Sequence, residues 1–188
     1  MGIKAMSDNI LLRERQIISH GHGDLERFIV ERKRFDGRVE TLPREVYDPG
    51  DGAAILLYNP KSTRVVLVRQ FRIPAYLRDG HETLIEVCAG RLEGELSPGC
   101  FAEKITFFIA EYTPGSQISK GGGDDGEGED IEILQPTLDE ALKMVSSGEI
   151  VDVKTILLLH YAKLTGLMRR DDVSVRGESV KLVKLTPP

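Results

Sequence analysis

Apolar residues fall in short runs bounded by Gly, Pro, Asn and Asp as far as Gln135, and beyond it they recur at helical spacing, so strands come first and helices last. Ala53 to Tyr58 and Arg64 to Phe71 read as two strands buried on both faces, joined by a turn that begins at Asn59-Pro60. Thr83 to Cys88 sets Leu84, Val87 and Cys88 beside Glu86 in a further apolar strand, after which Ala89-Gly90 lets the backbone turn sharply. Lys104 to Tyr112, of Ile, Thr, Phe and Tyr types, and the short run Ile131 to Leu134 complete the central strands. Ahead of them, Leu25 to Val46 reads as a twisted antiparallel ribbon turning at Asp36-Gly37. Such a polar ribbon cannot bury enough surface alone, so it must pack on the rest of the chain or on a second copy, which favours a homodimer in which it reaches the other subunit. Thr137 and Glu140 form a capping box ahead of the apolar face Leu138, Ala141, Leu142 and Val145, and Gly148 ends that helix. A second helix is expected from Asp152 to Gly166, and the tail around Val180 to Leu185 is ambiguous. The order predicts an α+β (mixed α/β) fold with a β-ribbon over 1–48 and a main domain over 49–188.

The 188 residues are 40% hydrophobic and 29% charged with a formal net charge of −5, which offers no basic field for nucleic acid. No apolar run approaches the ~20 residues that span a bilayer, and the first residues lack a signal-peptide core, so no membrane partner and a cytoplasmic protein are expected. Cys88 and Cys100 have neither metal-ligand nor redox spacing and read as reduced thiols.

Candidate chemistry gathers between Glu82 and Tyr112, where Arg91, Glu93, Glu95 and Glu103 share a connection too short and too rich in Gly and Pro for a regular helix. Arg69 and Arg72 flank Gln70-Phe71 at a strand end and Arg78 follows in an expected loop. They are either solvated charges or a cluster that grips phosphate. The acidic, Gly-rich stretch after Tyr112 reads as a mobile surface loop, with a calcium loop as the sharper alternative that its spacing does not match. His20 and His22 could reach one metal or stand solvated, and no third ligand is near. Phosphate-loop, dinucleotide and nucleophile-elbow signatures are absent.

The runs REVYDPGDGAAILLYN, VVLVRQFR, LIEVCAGRLEGE, SPG, EKITFFIAEY, GEDIEIL and GEIVDVKTILLLHY resemble, over about Leu25 to Leu167, the GDP-mannose pyrophosphatase branch of the Nudix hydrolases, relatives of ADP-ribose pyrophosphatases. The resemblance implies a Nudix α/β/α sandwich with a mixed sheet, a ribbon exchanged across a homodimer, and Mg²⁺-dependent hydrolysis of a nucleoside diphosphate sugar to a nucleoside monophosphate and a sugar 1-phosphate. It further implies that Arg44 and Glu45 approach the nucleotide from the other subunit and that Arg72 lies at the diphosphate. Gly90, Arg91, Glu103 and Lys154 match substrate contacts, the carbonyl of Ala89 and the carboxylate of Glu129 match metal ligands, and His22 falls where the family places an aromatic ring.

The Nudix signature begins at Gly90, yet GRLEGE passes directly to LSPG where a helix with metal-binding glutamates belongs, so the catalytic glutamates are unassigned. Glu93 and Glu95 cannot replace ligands spaced one helical turn apart, because Mg²⁺ demands near-octahedral oxygen coordination. Either the source protein carries a further helix and strand here, or the shortening is native and leaves a catalytically impaired nucleotide-sugar-binding relative. The first is preferred, since losing those elements would expose the core face of the sheet and leave backbone groups unpaired. A non-enzymatic dimeric scaffold is the third reading, and it predicts no nucleotide affinity.

Overall fold

The computed structural model describes residues 4–7, 9–92, 105–113, 130–169 and 182–185. The acidic loop, Cys100, Glu93, Glu95, Glu103 and Glu129 lie outside the described residues. The chain divides into two compact units, Met1–Gly52 with Arg91–Ile105, and Ala53–Gly90 with Thr106–Pro188.

The first unit holds a four-stranded antiparallel sheet in sequence order: β1 (Lys4–Ser7), β2 (Ile10–His20), β3 (Asp24–Lys33) and β4 (Val39–Asp48). The expected ribbon is its β3–β4 half. Gly37 at φ 85° makes that turn, with Asp36 Oδ1 accepting from the Arg38 amide at 3.1 Å. Sequence reading missed β2 because its apolar residues alternate poorly, and what holds it is charge. Arg13 Nη2 donates to Glu31 at 2.8 Å, and Arg15 Nε donates to Glu26 at 3.0 Å. Within β2, β3 and β4 the one buried residue is that carboxylate, Glu26. Gly23 must be glycine for a local reason: a Cβ there would lie 2.3 Å from the Asp48 carbonyl oxygen.

The second unit is built on a seven-stranded sheet in the order β10-β6-β5-β9-β11, with β7 paired to β6 and β8 to β5. Its strands are β5 (Asp51–Asn59), β6 (Arg64–Phe71), β7 (Thr83–Glu86), β8 (Cys88–Leu92), β9 (Ile105–Glu111), β10 (Glu132–Leu134) and β11 (Leu182–Lys184). The β5–β6 turn forms at the expected place, where Asn59 Oδ1 accepts from the amides of Lys61 and Ser62 at 3.0 and 3.2 Å. In β6, Val65 to Val68 are all buried, and Val68 pairs with Ile133 of β10 on one edge and Glu86 of β7 on the other.

Among the described residues three α-helices accompany this sheet, α1 (Ile73–Asp79), α2 (Leu138–Ser147) and α3 (Val153–Leu164), the last followed by a 3-10 turn at Leu167–Arg169. The capping box of α2 forms in full, Glu140 N donating to Thr137 Oγ1 at 3.2 Å and Thr137 N to Glu140 Oε2 at 2.8 Å. Leu138 and Ala141 of α2, with Leu158, Leu159 and Ala162 of α3, pack into the core. α1 was not expected. Arg78 therefore lies in the last turn of a helix and not in a loop, because Pro74 fits a first turn and Gly80, at φ 74°, caps the end.

Candidate functional site

The strand run Thr83 to Leu92 changes partner part-way. Its first half pairs with β6 and its second half with β5, and Val87 sits at the change. Val87 is fully buried, so its amide must find an acceptor outside the ladder. The acceptor is the Oγ1 of Thr155, at 2.8 Å, on the first turn of α3. Thr155 is itself fully buried and donates to Asp152 Oδ2 at 2.7 Å, while its backbone amide reaches the same oxygen at 2.9 Å. Asp152 is thus both the N-cap of α3 and the anchor of a side-chain relay. Its other oxygen accepts from Lys154 Nζ.

The relay returns to the strand one residue earlier. Glu86, 5% exposed, accepts at Oε2 from Arg72 Nε at 2.8 Å and from Gln70 Nε2 at 3.0 Å, and Lys154 Nζ lies 3.9 Å from its Oε1. Arg72 stands at the N-cap position of α1 in extended backbone, which projects it from the end of β6. Two cations and two carboxylates from β6, β7 and the start of α3 therefore converge in one place. Among the described residues no buried side-chain nitrogen or oxygen lacks a partner. Burial pushes the Asp152 carboxyl up, but hydrogen bonds from Lys154 and from the side chain and amide of Thr155 outweigh it and hold the group below its usual range. Burial pushes the neighbouring Cys88 thiol up, and that free cysteine is not a reactive thiolate.

Of the residues expected at the site, Arg72 and Lys154 are brought together on Glu86. Ala89 and Gly90 follow on β8 and are exposed; a Cβ on Gly90 would meet nothing within 4 Å, so the backbone there is open to a ligand. Arg91 belongs to β8 by its backbone. Arg44 and Glu45 lie on β4 in the first unit, both exposed; Arg44 Nη1 donates to the Pro43 carbonyl at 2.9 Å and Glu45 accepts from Arg27 at 2.6 Å. Glu103 and Glu129 are outside the described residues. His20 closes β2 and faces Asp24 at 2.8 Å. Sequence reasoning noted Glu86 only as part of an apolar strand, and passed over Gln70 and Thr155. The available signal was the carboxylate itself, alone in the run LIEVC, since a buried charge requires partners.

A GDP-mannose pyrophosphatase of Escherichia coli O1:K1 is 39% identical over 193 residues, spanning 87% of this chain and 100% of that protein. The chain belongs to the GDP-mannose pyrophosphatase branch of the Nudix hydrolases. A GDP-mannose pyrophosphatase of Shigella flexneri serotype 5b matches to the same extent, 39% over 193 residues and the same shares of both chains. The crystal structure of an ADP compounds hydrolase, 10% identical, superposes with a TM-score of 0.55 over 87% of this chain and 98% of its own, which shows the shared fold. No family model matches the chain. Since 87% of 188 residues is about 164, the 193 aligned positions leave about 29 of this branch's positions without a counterpart here.

Nudix chemistry implies a metal, for which the described residues supply few ligands. They gather no three His, Cys, Asp or Glu side chains able to hold an ion. The carbonyl of Ala89 alone does not make an octahedral shell, so the described residues do not fit magnesium by themselves.

Proposed function

We propose that this Nudix pyrophosphatase acts on a nucleoside diphosphate sugar of the GDP-mannose or ADP-ribose type, yielding a nucleoside monophosphate and a sugar 1-phosphate. The observation that carries the reading is the convergence of Arg72 and Lys154 on buried Glu86, beside the open backbone of Ala89 and Gly90. Arg72 spends its Nε on Glu86 while 40% of its side chain stays exposed, which orients the guanidinium fork for phosphate oxygens. Glu86 thereby acts on the substrate through Arg72. Gly90 admits a phosphate close to the main chain; the family pattern supports Arg91 and Glu103 as further substrate contacts, with Arg44 and Glu45 approaching from the other subunit.

The cluster is balanced, two cations against two carboxylates, so a diphosphate brings charge that these side chains do not neutralise. That imbalance supports Mg²⁺ dependence, with Ala89 and Glu129 matching two of the family's ligands and the remaining carboxylates belonging to the helix that the family signature calls for after Gly90. Bound there, the ion would neutralise charge developing on the diphosphate oxygens. We also place the protein in the cytoplasm, where Cys88 stays reduced, as a homodimer through the 1–48 ribbon; β2, with most of its residues exposed, supports a partner for that surface.

The test is release of GMP from GDP-mannose with Mg²⁺, alongside calorimetric titration of GDP-mannose and ADP-ribose. Binding lost about 10-fold or more in Arg72→Ala is expected from a hydrogen bond to a charged group. A chain with no affinity for either compound refutes the assignment and favours the scaffold. A second reading, a binding-competent but catalytically impaired relative, is favoured by the roughly 29 unmatched positions. We place them after Gly90. It predicts binding without turnover by the 188-residue chain, and turnover once the branch's helix and strand are inserted after Glu95. Robust turnover by the 188-residue form would remove that second reading.

A further inference from the structure

We propose that Thr155 is a positioning residue for the nucleotide-sugar site: its hydroxyl locks the partner change of the strand at Val87 to the first turn of α3, and so sets Glu86, Lys154 and the Ala89-Gly90 backbone against one another. This rests on the reading of the cluster given above. The geometry is a closed ring. Glu86 and Val87 are consecutive on the strand, and Lys154 and Thr155 are consecutive on α3. One connection runs from the Val87 amide to Thr155 Oγ1 at 2.8 Å, and the other from Lys154 Nζ to Glu86 Oε1 at 3.9 Å. Asp152 closes the ring by holding Thr155 with one oxygen and Lys154 with the other.

Only a side chain that both accepts and donates can stand at the centre. Thr155 accepts from Val87 and donates to Asp152, so each bond fixes the hydroxyl rotor for the other. Valine has nearly the same shape and can do neither. The strand could then shift along α3 until the Val87 amide found another acceptor, carrying Ala89 and Gly90 with it and lengthening the weaker link between Lys154 and Glu86. Residues that hold binding groups in place commonly cost about 10- to 100-fold in function when lost, and displacement on the order of 1 Å is enough.

The experiment compares the full chain with Thr155→Val, Thr155→Ser and, as a control, Thr137→Ala, which removes the α2 cap and touches none of these groups. Affinity for GDP-mannose by calorimetry and the Val87 amide by NMR, its shift and its exchange rate, are read together. We expect Thr155→Val to bind about 10-fold or more weakly and to lose the Val87 signature. Thr155→Ser should restore both, and Thr137→Ala should keep wild-type affinity. Thr155→Val with unchanged affinity overturns the proposal, as does loss of affinity that serine does not rescue. If Thr155→Val does not fold, Thr155→Cys replaces it, with a partial loss expected and no loss overturning. Should the wild-type chain bind neither GDP-mannose nor ADP-ribose, the functional reading fails. The lock is then decided by the ligand-free arm: a Val87 amide, together with the Glu86 and Lys154 resonances, that moves in valine and returns in serine supports it, and one that stays put overturns it.

Discussion

Removing Arg72 leaves a carboxylate in a place built to be neutralised. Glu86 is 5% exposed and keeps, in Arg72→Ala, only Gln70 at 3.0 Å and Lys154 at 3.9 Å. Breaking a fully buried pair costs about 3–5 kcal/mol, but the Arg72 side chain is 40% exposed and water can take part of its place, so about 2 kcal/mol is expected. Glu86→Gln removes the charge, leaves one amide oxygen for Gln70 and Arg72 and turns the amide NH2 toward the Lys154 ammonium, at a similar cost of about 2 kcal/mol. The double variant has no buried charge left to strand. Its loss should therefore be well below the sum of the two, with a coupling of about 1.5 kcal/mol. Equilibrium urea unfolding of the four proteins reads this as a shift of midpoint at constant slope. Additivity to within about 0.5 kcal/mol would show that Arg72 and Glu86 do not depend on each other, and the site would lose its central pair.

Asp152 gives a pH signature. Its folded pKa is depressed, so the stability it contributes is complete above the ordinary value of 3.8 and is lost as pH falls through the lower folded value. The gap in unfolding free energy between the wild type and Asp152→Asn should be constant above about pH 5 and close in more acid solution; a gap independent of pH down to full protonation refutes it. Thr137→Ala should cost about 1 kcal/mol by urea unfolding through loss of the α2 cap. A Cβ on Gly23 would press on the Asp48 carbonyl at 2.3 Å and on Pro49 Cα at 2.8 Å, so Gly23→Ala should speed amide exchange across β3 and β4. Light scattering should find a dimer at micromolar concentration, and a monomer would end the proposal of an exchanged ribbon.

The sequence-visible parts of the fold are those where one local rule decides. Asp36-Gly37, Asn59-Pro60 and the Thr137–Glu140 box each form where the residues alone place them. β2 was not visible because its stability comes from cross-strand ion pairs with residues that follow it, such as Arg15 with Glu26, and not from its own periodicity. α1 was hidden by length: seven residues after a strand offer no repeat to detect, and only Pro74 and Gly80 mark it. At the candidate site, Arg72 and Lys154, which the structure brings together on Glu86, are named by the family resemblance. Glu86, Gln70 and Thr155 are not, because what makes them matter is burial against elements far along the chain. Thr155 reaches Val87 across 68 positions, a relation that no local pattern encodes.

The two units also differ in how their chains must search for their partners. In the ribbon every pairing joins strands that follow one another, and ion pairs such as Arg27 with Glu45 close over short intervening chain. In the second unit β6 waits for β10, whose Glu132 lies opposite Arg69, and the strand run through Val87 waits for α3, which supplies the acceptor for its amide. Loop-closure entropy makes the near pairings fast and the distant ones slow. The ribbon is thus expected to emerge early, while the cluster around Glu86 and Thr155 is among the last features to assemble. During synthesis, β7 leaves the ribosome with Gln70 and Arg72 already available to Glu86, but the Val87 amide gains its acceptor, and Glu86 its second cation Lys154, only when α3 near the end of the chain arrives.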